Sequence, residues 1–259
     1  YEAALVLNDQ AASLSEDISA AVARNRLAIA VLAGNPRLAP DLPLELDQSS
    51  PKHGLDVAEL ALLRGELGSC ASSLAPLANH LEPLDGKASG ALRVRYLRVL
   101  LNLAYSSVAL ATDDPRLDEL MAVTQSVRPH REAAESFLFV GRVLKNAALT
   151  SKERARVNAI FNQAARFADE AHHHRGRTLA LAESALLTKR EAAVSAALAL
   201  ANQQQASGDN YLSLRLRLAV VELTQEQNAV RRFIADAGCH DLAGLATRLA
   251  AQARPNRGD

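Results

Sequence analysis

The chain of 259 residues contains no tryptophan, one methionine, two cysteines and only 3% aromatic residues. Two cysteines cannot form the disulfide framework of a small secreted scaffold, and a chain of this length does not need one. Lysine and arginine together equal aspartate and glutamate together, at 29 each, so the formal net charge is zero. A neutral chain lacks the basic footprint of a dedicated nucleic-acid or anionic-membrane binder. The length predicts one or two domains with a sizeable core.

Residues that favour β-sheets are scarce. The chain has 4 isoleucines and 16 valines, against 51 alanines and 43 leucines. Alanine and leucine lose little side-chain entropy in a helix, whereas sheets are enriched in β-branched and aromatic residues. Stretches that alternate apolar and polar residues are absent as well. The composition therefore predicts an all-α protein.

Long apolar runs are also missing. The longest strongly apolar stretch, residues 99–112, contains Asn102 and is shorter than the roughly 18–20 residues of a membrane span. No basic segment followed by an apolar core marks a signal peptide. We therefore expect a cytoplasmic chain, with a periplasmic or extracytoplasmic location as the alternative if a preceding anchor or signal was removed. The chain begins with Tyr1 rather than methionine, so we expect a piece of a longer protein.

Proline is concentrated near the N-terminus. Residues 34–55 contain Pro36, Pro40, Pro43 and Pro51, and proline fixes φ and removes a hydrogen-bond donor. We expect residues 1–55 to hold an N-terminal helix, from about residue 2 to residue 33, and then a proline-rich crossing loop. The helix should stop at the Gly-Asn-Pro sequence of residues 34–36. Residues 56–259 are predicted to form a helical repeat domain.

Four predicted helix starts recur at nearly equal spacing. Asp114 precedes Pro115, a typical N-cap followed by a proline at the first helical position. Thr150, Thr188 and Thr224 each precede a glutamate or glutamine by three residues, which is the capping-box pattern. These caps lie about 36–38 residues apart, which predicts an internal repeat. Helices should therefore begin within about three residues of positions 115, 151, 189 and 225.

The residues around these caps fall into columns. Six and three residues before each cap, the first helix of a pair carries a stripe of small apolar residues. The stripe comprises Val108, Leu144, Ala182, Leu218, Ala111, Ala147, Ala185 and Val221. An earlier copy is predicted over residues 56–84, with its second helix starting near Pro76, and a closing helix over residues 241–253.

One copy carries the pattern of a known repeat. The residues that match it are Leu181, Ala182 and Ala185 in the first helix, then Val194, Leu198 and Ala201 in the second. Over residues 88–240 the chain resembles the degenerate tetratricopeptide-type (TPR-like) repeats of bacterial signalling and transcription regulators. The resemblance implies a right-handed solenoid of stacked antiparallel helical hairpins. An irregular helical bundle is the alternative architecture.

Three adjacent histidines, at residues 172–174, suggest a metal site at first sight. Consecutive side chains on a helix point about 100° apart, so all three cannot ligate one ion. We interpret them as cations near a helix C-terminus, with Gly176 as the C-cap and Asp169 and Glu170 as i, i+4 partners.

Catalytic patterns are not found. Cys70 and Cys239 are interpreted as structural, since a cysteine nucleophile needs a base and an orienting group placed by the fold. No metalloprotease, nucleophile-elbow, P-loop or dinucleotide motif occurs. We therefore expect no enzyme activity, no metal and no cofactor. Arg93, Arg95 and Arg98 are interpreted as a solvated helix face, with a partner-docking patch as the alternative.

In a solenoid the first helices line a concave groove. The residues expected to face it are Asn102, Tyr105, Leu138, Lys145, Glu183, Arg215 and Glu222. Their mixed charge suits a peptide, a protein or another domain of the same polypeptide better than a nucleic acid. The sequence thus predicts a non-enzymatic regulatory module for protein interaction. The alternative is a helical ligand-binding sensor domain of a membrane-anchored bacterial receptor.

Overall fold

The computed structural model describes residues 2–12, 19–39, 50–81, 87–126, 131–146, 149–188 and 190–253. Over these residues the protein is all-α, as predicted, with thirteen α-helices and no strand. The helices are α1 (Glu2–Ala12), α2 (Ser19–Ala33), α3 (Pro51–Arg64), α4 (Leu67–Leu81), α5 (Lys87–Ser106), α6 (Pro115–Ser126), α7 (Arg131–Lys145), α8 (Ser151–Glu170), α9 (His174–Thr188), α10 (Arg190–Ala206), α11 (Asn210–Thr224), α12 (Gln227–Cys239) and α13 (Thr247–Ala253). Two short 3-10 turns cover Pro36–Leu38 and Ala243–Leu245.

The four predicted helix starts are confirmed, and two of them use the predicted caps. The Thr150 hydroxyl accepts the Glu153 backbone N–H, and the Glu153 carboxylate accepts the Thr150 backbone N–H at 2.7 Å. This reciprocal pair is a complete capping box. Asp114 caps α6, since its Oδ1 accepts the Arg116 backbone N–H at 3.0 Å.

The other two helix starts form differently. Thr188 is the last residue of α9, and its hydroxyl donates to the Ser184 carbonyl; Lys189 of the predicted box lies outside the described residues. The box predicted at Thr224 is wrong, because α11 continues through Thr224 and ends with a left-handed Gln225. Glu226 then occupies the N-cap of α12 without a side-chain capping bond.

The N-terminal region contains two helices where one was predicted. α1 and α2 pack on each other, and the Asn8 side-chain amide donates to the Val22 carbonyl at 3.1 Å. The predicted stop is confirmed, since α2 ends at Ala33 and Gly34 is left-handed. The predicted end of the proline-rich loop at residue 55 is wrong, because α3 already begins at Pro51. A proline is tolerated at this first helical position, since its missing N–H would have no partner within the helix.

Two predictions for the first copies are also wrong. The second helix of the earliest copy begins at Leu67, not near Pro76, which lies inside α4. A left-handed Gly65 ends α3 and allows this earlier turn. In the next copy α5 ends at Ser106, so Val108 of the predicted stripe lies in a loop with φ of 60° and is exposed. Ala111 is in the same loop, and Ala147 lies outside the described residues.

Consecutive helices are in contact in pairs, which is consistent with helical hairpins. The pairs α3 with α4, α5 with α6, α7 with α8, α9 with α10 and α11 with α12 are all in contact. The first helix of each pair also contacts the first helix of the next, from α3 through α5, α7 and α9 to α11. Of the second-helix residues that match the repeat pattern, Ala201 is fully buried, whereas Val194 and Leu198 are half-buried against the core. Ala182 and Ala185 of the first-helix stripe are half-buried against the core.

The two ends of the array meet. The 3-10 turn at residues 243–245 packs on α3, and α13 packs on α5. A Cβ at Gly244 would overlap the Leu62 carbonyl oxygen, so glycine permits this approach. Arg37, beyond α2, pairs with Asp241 at 2.7 Å and donates to the Cys239 carbonyl at 2.5 Å. The C-terminal segment thus lies on the inner side of the array, beside the first helices.

The closest approach of α7 and α8 is at Gly141. A Cβ there would lie 2.6 Å from the fully buried Phe161 ring. We expect Gly141→Ala to lower the free energy of unfolding by about 1–3 kcal/mol, because the buried ring must shift. Gly238→Ala, in α12 with open space around it, is the matched control and should be neutral or stabilising by up to about 1 kcal/mol. Urea unfolding measures both, and equal effects would contradict the close approach.

Candidate functional site

A cavity of about 310 Å³ lies on the inner side of the array. Its walls come from α2, α3, α5, α7 and α11, and the C-terminal residues 244–248 form one side. Seven cationic and four anionic side chains line it, together with Tyr105, Phe139 and Tyr211. Together with the C-terminal residues, these five helices bring together residues that are up to 220 positions apart in sequence. We call this space the central cavity.

One wall of the central cavity is a buried chain of ion pairs. Arg95 of α5 pairs with Asp56 at 2.6 Å and with Glu59 at 2.7 Å, both on α3. Arg98 pairs with Glu59 at 2.7 Å and with Glu132 of α7 at 2.9 Å. Burial raises the pKa of Glu59, but the two arginines outweigh it and hold that pKa below its ordinary value. For Asp56 burial dominates and its pKa is raised, although Arg95 opposes the shift.

The prediction of a solvated arginine face is therefore wrong for two of its three residues. Arg95 and Arg98 are buried, whereas Arg93 is half-exposed and pairs with Glu119 at 3.0 Å. The acidic partners of Arg95 and Arg98 lie 34 to 39 residues away, about one repeat length. The sequence of α5 alone does not indicate these acidic partners.

A second buried cluster connects α5, α7, α9 and α11. The Arg142 guanidinium binds both carboxylate oxygens of Glu222, with a shortest distance of 2.6 Å. Lys145 pairs with Glu183 at 2.5 Å and with Glu222 at 3.5 Å. The Tyr105 hydroxyl accepts from Asn146 and donates to Glu222 at 3.4 Å.

The pKa values in this cluster are shifted in opposite directions. Burial and the neighbouring Glu222 carboxylate raise the pKa of Tyr105 to about 12. Burial also opposes ionisation of Glu222, but Arg142 and Lys145 outweigh it and lower its pKa to about 2. Glu222 is therefore an anion, and Tyr105 a neutral hydroxyl, across the physiological pH range.

The structure divides the seven predicted groove residues into three groups. Asn102, Tyr105 and Arg215 line the central cavity. The cluster around Arg142 contains Lys145, Glu183 and Glu222, which are buried against one another rather than displayed on an open groove. For Leu138 the groove position is wrong, because it is 1% exposed and packs in the apolar core. The binding roles themselves stay predictions.

Two arginines of the cavity differ from the rest. Arg215 donates to the Tyr211 hydroxyl at 2.6 Å, and its guanidinium lies 5.5 Å from the centre of that ring. Arg248 of α13 lies 4.0 Å from the centre of the Tyr105 ring. Within the described parts of the chain, neither has a carboxylate at salt-bridge distance. The sequence analysis does not identify Arg248, because no pattern in the predicted closing helix indicates that it contacts Tyr105.

The three histidines are not arranged as predicted. α8 ends at Glu170, α9 begins at His174, and Gly176 lies in the first turn of α9 rather than at a C-cap. His173 pairs with Glu135 of α7 at 2.7 Å, instead of with a residue on its own helix. Burial disfavours the charged form of Glu135, but His173, Arg215 and Arg98 outweigh it and hold its pKa well below its usual range.

The two cysteines occupy different environments. Cys70 is buried on α4, and burial, helped by Glu59, raises its pKa to about 12. Cys239 is exposed at the end of α12. Within the described residues, no three histidine, cysteine, aspartate or glutamate side chains are grouped so as to hold a metal ion.

Comparison with known proteins gives no relative. No family model matches the chain, and no curated protein or solved structure matches it. Among the helices of the described residues, none combines the length and apolar character needed to cross a membrane. Over the described residues the protein is an all-α fold whose helix contacts are consistent with helical hairpins, with a cavity lined by charged side chains.

The Glu222 cluster should make stability depend on pH. A carboxylate with a lowered folded-state pKa adds stability above its ordinary pKa of 4.5, and this stability is lost as the pH falls towards 2. We expect the free energy of unfolding to fall by about 3 kcal/mol over that range from this group. Glu222→Gln should be destabilised at pH 7, because Arg142 is left buried without a counter-charge, and should show a flatter pH profile.

Urea unfolding between pH 2 and 7 measures this dependence. Glu226→Gln, at an exposed position two residues beyond α11, is the matched control and should retain the parent profile. A Glu222→Gln profile as steep as that of the parent would contradict the assignment.

The thiols should react selectively. Iodoacetamide at pH 8 is expected to alkylate Cys239 and leave Cys70 unmodified, because burial and the raised pKa keep the Cys70 thiolate scarce. Mass spectrometry of peptides gives the modified positions, and unfolded protein, in which both react, is the control. Equal labelling of both cysteines in the folded protein would show that α4 opens readily.

Proposed function

We propose that this chain is a non-enzymatic regulatory module that binds its ligand in the central cavity. The sequence leaves two functions open, and this proposal corresponds to the ligand-binding sensor domain. The observation that carries the proposal is the cavity itself, about 310 Å³ enclosed between five elements. Ligand pockets commonly begin near this size and combine apolar walls with a few polar groups.

The proposed architecture is a TPR-type solenoid whose inner side holds the ligand. Two observations support it: the second helices from α6 to α12 begin about one repeat length apart, and each first helix contacts the next. Stacked hairpins bury their apolar faces only against neighbours, so the inner side stays available for binding. The central cavity lies where α3, α5, α7 and α11 present that side.

A second candidate is a peptide or a neighbouring domain of the same polypeptide. It is favoured by the C-terminal segment, which packs on α3 and α5 and inserts Arg248 beside Tyr105. The inner side thus accepts a helical segment of this chain. A longer partner would extend along the same surface beyond the cavity.

A blocked cavity tests the proposal. Asn102 lines the cavity from α5, so Asn102→Phe should fill part of it. We expect the parent protein, incubated with cell extract and repurified, to release small molecules on denaturation that Asn102→Phe does not retain. Asn202→Phe, on the exposed face of α10, is the matched control and should retain them.

Mass spectrometry identifies the released molecules, and circular dichroism checks that each variant is folded. Identical sets from the parent and from folded Asn102→Phe would exclude the cavity as the binding site. Release of peptides instead of small molecules would favour the second candidate.

A further inference from the structure

The charges that line the central cavity do not cancel locally. Arg95, Arg98 and Arg142 are each neutralised by buried carboxylates. Arg215 and Arg248 have only aromatic and hydroxyl partners among the described residues. Arg215 helps to lower the pKa of Glu135, and that carboxylate is already paired with His173.

Both of these arginines are held by tyrosine rings. Arg248 lies over Tyr105, and Arg215 lies over Tyr211 while donating to its hydroxyl. A guanidinium that lies on an aromatic face keeps its N–H groups in its own plane. The donor fork of Arg248 therefore remains available to the oxygens of a carboxylate or phosphate, and Arg215 keeps the N–H groups that do not donate to Tyr211.

The rest of the lining limits the size and character of the ligand. Val31 of α2, Leu63 of α3 and Leu245 of the C-terminal turn supply apolar wall. A volume of 310 Å³ corresponds to about ten water molecules at liquid density. A ligand with an apolar body of this size and one anionic group matches both parts of the wall.

A cationic ligand or a metal ion has no equivalent partner there. Asp56, Glu59 and Glu132 already accept hydrogen bonds from Arg95 and Arg98. Binding a cation would require breaking these buried pairs, which is costly.

We propose that the central cavity binds a small organic anion, a carboxylate or phosphate on an apolar body, and that Arg215 and Arg248 hold its anionic group. This inference rests on the proposed function and specifies its ligand class. Arg248 belongs to α13, so the bound anion would also tie the C-terminal segment to α11.

Four defined probes test the ligand class: phenylacetate, phenyl phosphate, the neutral phenylacetamide and inorganic phosphate. At constant ionic strength and millimolar concentration, we expect one or both of the aromatic anions to raise the thermal unfolding midpoint by about 2–6 °C. The one that acts more strongly identifies the carboxylate or the phosphate. Phenylacetamide and inorganic phosphate should act weakly, because each lacks one half of the proposed ligand.

Substitutions identify the residues. Arg215→Gln and Arg248→Gln should each weaken binding of the aromatic anion at least tenfold. Arg217→Gln is the matched control, since Arg217 lies on the same helix and donates to Asn202 and Gln205 outside the cavity. Circular dichroism checks the fold, and if Arg215→Gln unfolds, Arg248→Gln decides the test.

Three results would overturn the inference. They are equal effects of phenylacetamide and phenylacetate, equal losses in Arg217→Gln and Arg248→Gln, and no effect of either aromatic anion on the parent protein. If phenylacetamide binds and Asn102→Phe abolishes its effect, the cavity is a ligand site of another class. The proposed function then survives the failure of this inference.

Discussion

The first helices of this protein pack side by side because each supplies the counter-charges that its neighbours need. Asp56 and Glu59 of α3 form ion pairs with Arg95 and Arg98 of α5. Further along, Lys145 of α7 pairs with Glu183 of α9, and Arg142 of α7 reaches past α9 to Glu222 of α11. A buried charge without its partner is strongly destabilising, so no first helix can shift along its neighbour without a large cost. The ion pairs thus oppose a change of register between the first helices, and apolar residues of both first and second helices provide the burial.

Much of the helical framework could be predicted from local sequence. Helix starts depend on a few adjacent residues, and Thr150 with Glu153 behaves as its spacing predicts. Prediction was poorer where a local pattern competed with tertiary packing. At Thr224 the capping pattern is present, yet the helix continues through it and Gln225 provides the turn.

The candidate site was only partly predictable, for a different reason. The repeat offsets led to Asn102, Tyr105 and Arg215 on the inner side, and these do line the central cavity. The same reasoning treated Arg95 as a surface residue, because its partners Asp56 and Glu59 are 36 to 39 positions away. Opposite charges separated by one repeat length were a usable signal. Nothing comparable in the sequence indicates that α13 reaches Tyr105.

The contact between the two ends of the array has a consequence for how the protein folds. In an open repeat protein each unit contacts only its neighbours, so stability is nearly a sum along the chain and partly unfolded forms can persist. Here Arg37 and Asp241 meet across 204 residues, and Gly244 packs against Leu62. Because of this long-range contact, unfolding of the 3-10 turn at residues 243–245 also removes contacts from α3. This coupling favours concerted unfolding. It also delays formation of the first hairpin's last contacts, because they cannot form before residues 241–244 have been synthesised and ordered.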